Sequence, residues 1–272
     1  MRSRLLAALL AATPAASSGY VGPVVDAARF PSTVYLELDR GGAETQRCTG
    51  VVIGPRAVLT AAHCLGDVRD GRWACILRDR RVMVGRAGTT SAARTVARVA
   101  VHPSVTGYSR GMFHMGSDYA GLSDAAVLIF NESLGLPGAD LADSVSARQE
   151  IFIGGHGQPA IDARSYSDDL RMGARVVNSI NGVQFEVRPQ PDTGFLLHGD
   201  SGGPAYDLAG RVVGVNSFIR PGDSVRVISG TREYSRYTSY LSNISRADVM
   251  RAWVGTAEQG AASVACPFPR LR

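Results

Sequence analysis

The sequence predicts an all-β fold in two halves, followed by one terminal helix. Val34, Leu36 and Leu38 alternate with Tyr35, Glu37 and Asp39, the period of two that a half-buried strand requires. Further short apolar runs stand at 51–53, 57–59, 96–101, 125–130, 151–153, 175–177 and 211–215, with Gly, Pro, Asn and Asp between them. Many short strands at such spacing favour a barrel or sandwich over a βαβ sheet. The two halves part at 134–142, a stretch containing Gly, Pro and Asp. A helix is expected at 245–254, where Ser245 caps it, Asp248 follows three positions later, and Val249 and Trp253 share a face before Gly255.

Composition narrows the classes of function. At 272 residues, 45% hydrophobic and 19% charged, the chain can bury a full-sized core. All 29 basic residues are arginine, scattered without a long run, so the net charge of +5 does not point to a nucleic-acid partner. Arg2 and Arg4, the apolar run 5–12 and the small residues 13–19 follow the order of a secretory signal peptide, expected over 1–19. That run is too short to span a bilayer, and nothing later reaches the roughly 18 apolar residues a membrane helix needs. A secreted or periplasmic protein with no membrane anchor is expected. Four cysteines, Cys48, Cys64, Cys75 and Cys266, suit such a compartment and leave three disulfide pairings open. No pair has the two-to-four-residue spacing of zinc sites, so neither a metal nor any other cofactor is expected.

Two motifs carry the chemistry. Thr60-Ala61-Ala62-His63-Cys64 directly follows an apolar strand, and Gly199-Asp200-Ser201-Gly202-Gly203-Pro204 lies in the second half. A hydroxyl is a poor nucleophile at neutral pH and needs an adjacent base, a role that histidine suits. The imidazole in turn needs a buried carboxylate to fix its tautomer. Glycines around Ser201 permit a sharp turn whose N–H groups converge on an oxyanion. Gly199-x-Ser201-x-Gly203 also satisfies the nucleophile elbow of α/β-hydrolases, but that fold places its histidine after the serine. His63, His102, His114, His156 and His198 all precede Ser201, which excludes it.

The two motifs, in this order, resemble the trypsin/chymotrypsin family of serine proteases over most of the chain after residue 19. The resemblance implies two packed antiparallel six-stranded β-barrels and a C-terminal α-helix. It divides the chain into a peptidase domain at 20–256, with barrels at about 24–134 and 143–243, and a tail at 257–272. It implies a monomeric serine endopeptidase acting on protein or peptide substrates through an acyl-enzyme. Carried over by position, His63 is the general base and Ser201 the nucleophile, with Gly199 and Ser201 N–H groups as the oxyanion hole. Asp200 receives the mature N-terminus. Cys48 and Cys64 match the family's disulfide beside the histidine, which leaves Cys75 for Cys266. Gly155-His156-Gly157 resembles the family's Gly-Trp-Gly, and Gly214 to Phe218 its substrate-binding strand, with Ser217 touching the buried aspartate. Asp124 fills the aspartate role rather than Asp118, because it leads into the apolar run 125–130. The other reading is a catalytically silent, binding-only member; such proteins lose a triad residue, and here all three are present.

Several positions depart from the family. Phe195 stands at the pocket floor where trypsins hold an aspartate, Leu197 replaces a cysteine, and Ile219 replaces a wall glycine. Phe195, His198, Ser217, Phe218 and Ile219 are the expected substrate-binding residues, and Asn216 is read as bordering the pocket. The family's Ile-Val-Gly-Gly start is absent; Tyr20 and Val24 are the two starts that fit the distance to Cys48. His102 and His114 are read as structural or surface residues.

Overall fold

The computed structural model describes residues 22–39, 45–69, 72–77, 80–102, 105, 123–160, 163, 165–188, 196–221, 226–228, 231–233, 237–244 and 266. Strands β1 (Thr33–Asp39), β2 (Thr45–Gly54), β3 (Ala57–Thr60), β6 (Arg81–Gly85), β7 (Ala92–Val101) and β8 (Ala126–Phe130) close into a barrel in the order β1-β2-β3-β8-β7-β6. A one-turn helix α1 (Ala62–Leu65) and a hairpin of β4 (Gly66–Arg69) and β5 (Arg72–Cys75) leave it between β3 and β6. Strands β9 (Glu150–Gly155), β10 (Arg171–Ile180), β11 (Gln184–Val187), β12 (Pro204–Asp207), β13 (Val212–Pro221) and β16 (Tyr237–Asn243) close a second barrel, ordered β10-β11-β16-β13-β12-β9. A two-stranded ribbon of β14 (Arg226–Ile228) and β15 (Thr231–Glu233) projects between β13 and β16. Every pairing within the barrels is antiparallel. The expected signal segment 1–19 and helix 245–254 lie outside the described residues.

The run 125–130 lacks the alternation of a half-buried strand because both its faces are covered. Ala126, Leu128 and Phe130 point into the first barrel beside Val34, Leu36 and Leu38. Ala125, Val127 and Ile129 face the other way, into a layer shared with Phe152, Tyr206, Val212 and Val215 of the second barrel. β9 does the same from the opposite side, with Ile151 and Ile153 inside its own barrel and Phe152 in the shared layer. A strand buried on two faces reads as a continuous apolar run. Thr33 and Tyr206 share a buried hydrogen bond of 2.9 Å across the layer. β1 departs from strict alternation at Thr33 and at Tyr35, which is buried edge-on to His156 of the second barrel at 5.4 Å between ring centroids.

Two disulfides brace the first barrel, Cys48–Cys64 and Cys75–Cys266, and no described cysteine is free. The first ties β2 to α1, one residue beyond His63. The second fastens the chain at 266 to the end of the β4–β5 hairpin across 191 residues of sequence. In that hairpin the ring of Trp73 covers Gly66 so closely that any side chain there would enter the indole. Non-reducing peptide mapping of the protein is expected to recover both linked pairs. Replacing Cys75 and Cys266 together by serine is expected to destabilise the protein by about 2–5 kcal/mol, read as a lower denaturation midpoint. Free thiols at both positions in the native protein would contradict this pairing.

Candidate active site

The site is assembled where the two barrels meet. Ala61 precedes α1 in an extended conformation, and the single helical turn swings His63 out of β3 toward the segment before β8. The His63 amide donates to Asp124 Oδ1 at 3.0 Å, and ring Nδ1 donates to Oδ2 at 2.7 Å. Ser217 Oγ, from the second barrel, donates to the same Oδ2 at 2.6 Å. Ser217 reaches it because β13 bulges there: Asn216 faces Leu241 and Phe218 faces Tyr240, leaving Ser217 as the extra residue. A bulge re-aims a side chain that regular pleating would point elsewhere. Asp124 is fully buried. Burial alone would raise its pKa, but the charge and hydrogen bonds of His63 and the Ser217 hydroxyl outweigh it and hold the carboxyl below its ordinary value. With Nδ1 engaged as a donor, Nε2 of the neutral ring is left as the acceptor. The side chain of His63 is one-fifth exposed and Ser201 is half-buried, so the site opens to solvent. Asp118 lies outside the described residues.

Ser201 sits on a tight turn over 197–202. Gly199 and Gly202 hold φ of 95° and 78°, the left-handed region in which a side chain is strained. A Cβ on Gly202 would also run into Thr60 and the backbone of Thr49 and Ala61. The amides of Gly199 and Ser201 donate to no acceptor among the described residues. Asp200, between them, is turned inward and buried, accepting from Gly157 N and Leu197 N, each at 2.9 Å. Burial pushes its carboxyl up to about 7 against the two amides and the charge of Arg171. Gly157 permits this approach, since a Cβ there would meet the carboxylate at 2.6 Å.

His156, where the resemblance expects tryptophan, is fully buried. Its Nδ1 donates to the Asp168 carbonyl at 3.0 Å, and burial lowers its pKa to about 4. His102 is likewise lowered by burial to about 4. Of the pocket residues, His198 is exposed, Phe218 is buried and Ile219 packs partly against the second-barrel core. Phe195 and His114 lie outside the described residues. Asn216 is buried, and its amide nitrogen donates to the carbonyls of Gly154 at 2.9 Å and Asp200 at 3.0 Å.

Sequence reasoning missed Thr49, Gln158, Arg47 and Tyr166. Thr49 and Gln158 hold the turn around Ser201 by hydrogen bonds. Arg47 is buried between Glu37 and Asp168, at 2.6 and 2.8 Å, with its guanidinium 4.2 Å from the Tyr35 ring centroid. Tyr166 flanks the turn before Ser201, 2.9 Å from where a Cβ on Gly199 would stand. The signal for Thr49 and Arg47 was a polar residue on each side of a half-cystine in a strand, though nothing local named their partners.

The two buried carboxylates respond oppositely to pH. The lowered pKa of Asp124 contributes stability above the ordinary carboxylate range that is lost as pH falls through it. The raised pKa of Asp200 means the folded chain holds that proton more tightly, which favours folding below about pH 4 and is lost as pH rises to about 7. Relative to Asp200→Asn, the chain is therefore expected to lose roughly 3 kcal/mol of stability between pH 4 and pH 7, measured by denaturant unfolding. Identical pH profiles for the two proteins would contradict the assignment.

Comparisons with known proteins bear on the family and the fold. A family model described as Trypsin matches residues 21–241. Trypsin, alkaline B, of Manduca sexta is 26% identical over 270 residues, covering 88% of this chain and 95% of that protein. Trypsin, alkaline C, of the same organism is 27% identical over 259 residues with the same coverage. Among solved structures, the scabies mite inactivated protease paralogue S-D1 superposes with a TM-score of 0.64 at 16% identity, over 90% of this chain and 99% of that one. Human heparin binding protein gives 0.63 at 16% identity with the same coverage. At such identity these two structures establish the fold alone.

Proposed function

The chain belongs to the trypsin family, and on that premise we propose that it is an exported serine endopeptidase using His63, Asp124 and Ser201. Ser201 Oγ attacks the carbonyl carbon of the scissile bond while His63 Nε2 takes its proton. Asp124 holds the ring's tautomer and stabilises the imidazolium that forms. The oxyanion is received by the Gly199 and Ser201 N–H groups. His63 returns the proton to the leaving amine, and water hydrolyses the acyl-enzyme by the same route in reverse. The observation that carries this reading is the 2.7 Å contact of a fully buried carboxylate with His63 Nδ1, reinforced by the 2.6 Å bond from Ser217. The presence of all three triad residues favours this reading over a silent member of the family.

Export rests on the N-terminal targeting pattern and is supported by the two disulfides. Among the described residues no helix is long and apolar enough to cross a membrane. After export the protein acts as a monomer on peptide and protein substrates, with no nucleic-acid partner. Phe195 offers no countercharge, so a P1 arginine would be buried unpaired at a cost of several kcal/mol. Small or medium apolar P1 residues are preferred. Activation brings a new terminal amine to Asp200. The earlier start, Tyr20, fits better than Val24, because Val24 bridges Arg171 and the Val25 amide is bonded to Leu170 O at 2.9 Å.

Profiling a peptide library with the mature protein and with Ser201→Ala tests the reading. Wild type is expected to cut after alanine, valine or leucine in preference to arginine, and Ser201→Ala to lose cleavage while keeping its fold. Near-native cleavage by Ser201→Ala would overturn the triad. A folded, mature wild type that neither cleaves nor is labelled by a serine-directed phosphonate would establish the silent, binding reading instead.

A further inference from the structure

Both residues proposed to supply the oxyanion hole have their carbonyl groups held by one side chain's residue, Thr49. Its amide donates to Ser201 O at 2.8 Å, and its hydroxyl donates to Gly199 O at 2.7 Å. The same hydroxyl accepts from the His156 amide at 3.0 Å, and the Thr49 carbonyl accepts from Thr60 Oγ1 at 2.8 Å. Thr49 is wholly buried in β2 of the first barrel, yet three of these four bonds end in the second half of the chain.

These bonds fix the direction of the Gly199 N–H. The peptide joining Gly199 to Asp200 is pinned at both ends, its carbonyl by Thr49 Oγ1 and its N–H by Leu197 O at 3.1 Å. The peptide joining His198 to Gly199 is held through its carbonyl, which accepts from Gln158 N at 2.9 Å. Among the described residues no peptide bond is cis, so the N–H of that unit points opposite to its bound carbonyl, away from Gln158. Gly199, at φ 95°, has no side chain to resist rotation, so the hydrogen bonds on its two flanking peptides must set its orientation.

We propose that Thr49 is a positioning residue for this reaction: its hydroxyl holds the Gly199 peptide so that the Gly199 N–H meets the oxyanion. The proposal rests on the endopeptidase reading above. Only a hydroxyl can donate to Gly199 O and accept from His156 N at once. Valine has the same shape and would leave a buried carbonyl and a buried N–H without partners, freeing the turn to rotate. Serine keeps both bonds. Because the ground-state carbonyl of a substrate needs these donors less than the tetrahedral oxyanion does, the loss falls on kcat rather than on KM.

The test compares wild type, Thr49→Val, Thr49→Ser and Ser201→Ala on one amide substrate, together with binding of a peptide boronate whose tetrahedral adduct mimics the transition state. Thr49→Val is expected to lose about 10- to 100-fold in kcat and a similar factor in boronate affinity, less than deleting an oxyanion donor outright, with KM little changed. Thr49→Ser is expected to stay close to wild type. Thermal melting accompanies each variant; should the valine protein not fold, Thr49→Ala, which leaves room for water beside the turn, carries the same direction of change. Wild-type kcat and boronate affinity in the valine or alanine protein, or a serine protein as impaired as the valine one, overturns the positioning role alone. An inert wild type overturns both this role and the endopeptidase reading.

Discussion

The structure depends on one buried carboxylate. Asp124 has no exposure to water, and an ionised carboxyl in that position is costly unless donors from the protein replace its hydration. Three donors do so: the His63 amide, the His63 ring and the Ser217 hydroxyl. The first two come from the turn after β3 and the third from a bulge in β13. Satisfying Asp124 therefore fixes the imidazole's tautomer and also requires the two barrels to meet in one register. Positioning of a base and packing of two domains are here the same constraint.

Around that point the barrels are joined by an apolar layer and by polar bonds that are absent from either barrel alone. β8 and β9 bury one face in their own barrel and the other in the shared layer. Thr49 and Asp200 work at the edge of this layer, one gripping the turn that carries Ser201 and the other buried beneath it. Asp200 differs from Asp124 in its balance. Two amides do not offset its burial, so its carboxyl is pushed up to about 7, and a cation brought against it would reverse the shift. The activation proposed above, by a new terminal amine, would supply such a cation.

Much of this was legible in the sequence, and the residues show why the rest was not. The alternation at 34–39 and the doubly apolar run at 125–130 are local patterns, and they marked strands. His63, Ser201 and the glycines around it stand in contiguous motifs whose chemistry requires those residue types. Asp124 could be chosen over Asp118 because it abuts a buried strand. Thr49, by contrast, has partners 107, 150 and 152 positions away, and nothing beside it in the sequence names them. Arg47 meets Asp168 at a separation of 121. The reach of Ser217 to Asp124 follows from a one-residue bulge, which leaves no mark in composition. Local periodicity reported the strands; the long-range polar bonds had to come from the fold.

The central claim is that Asp124 and the His63 ring form one hydrogen-bonded unit, and proton NMR of the His63 Nδ1–H tests it most directly. In wild type this proton is expected far downfield, as in a short bond to a carboxylate. In Asp124→Asn the acceptor oxygen is replaced in part by a donor, so the downfield resonance is expected to vanish with the fold intact. The same resonance in both proteins, or none in folded wild type, would contradict the account.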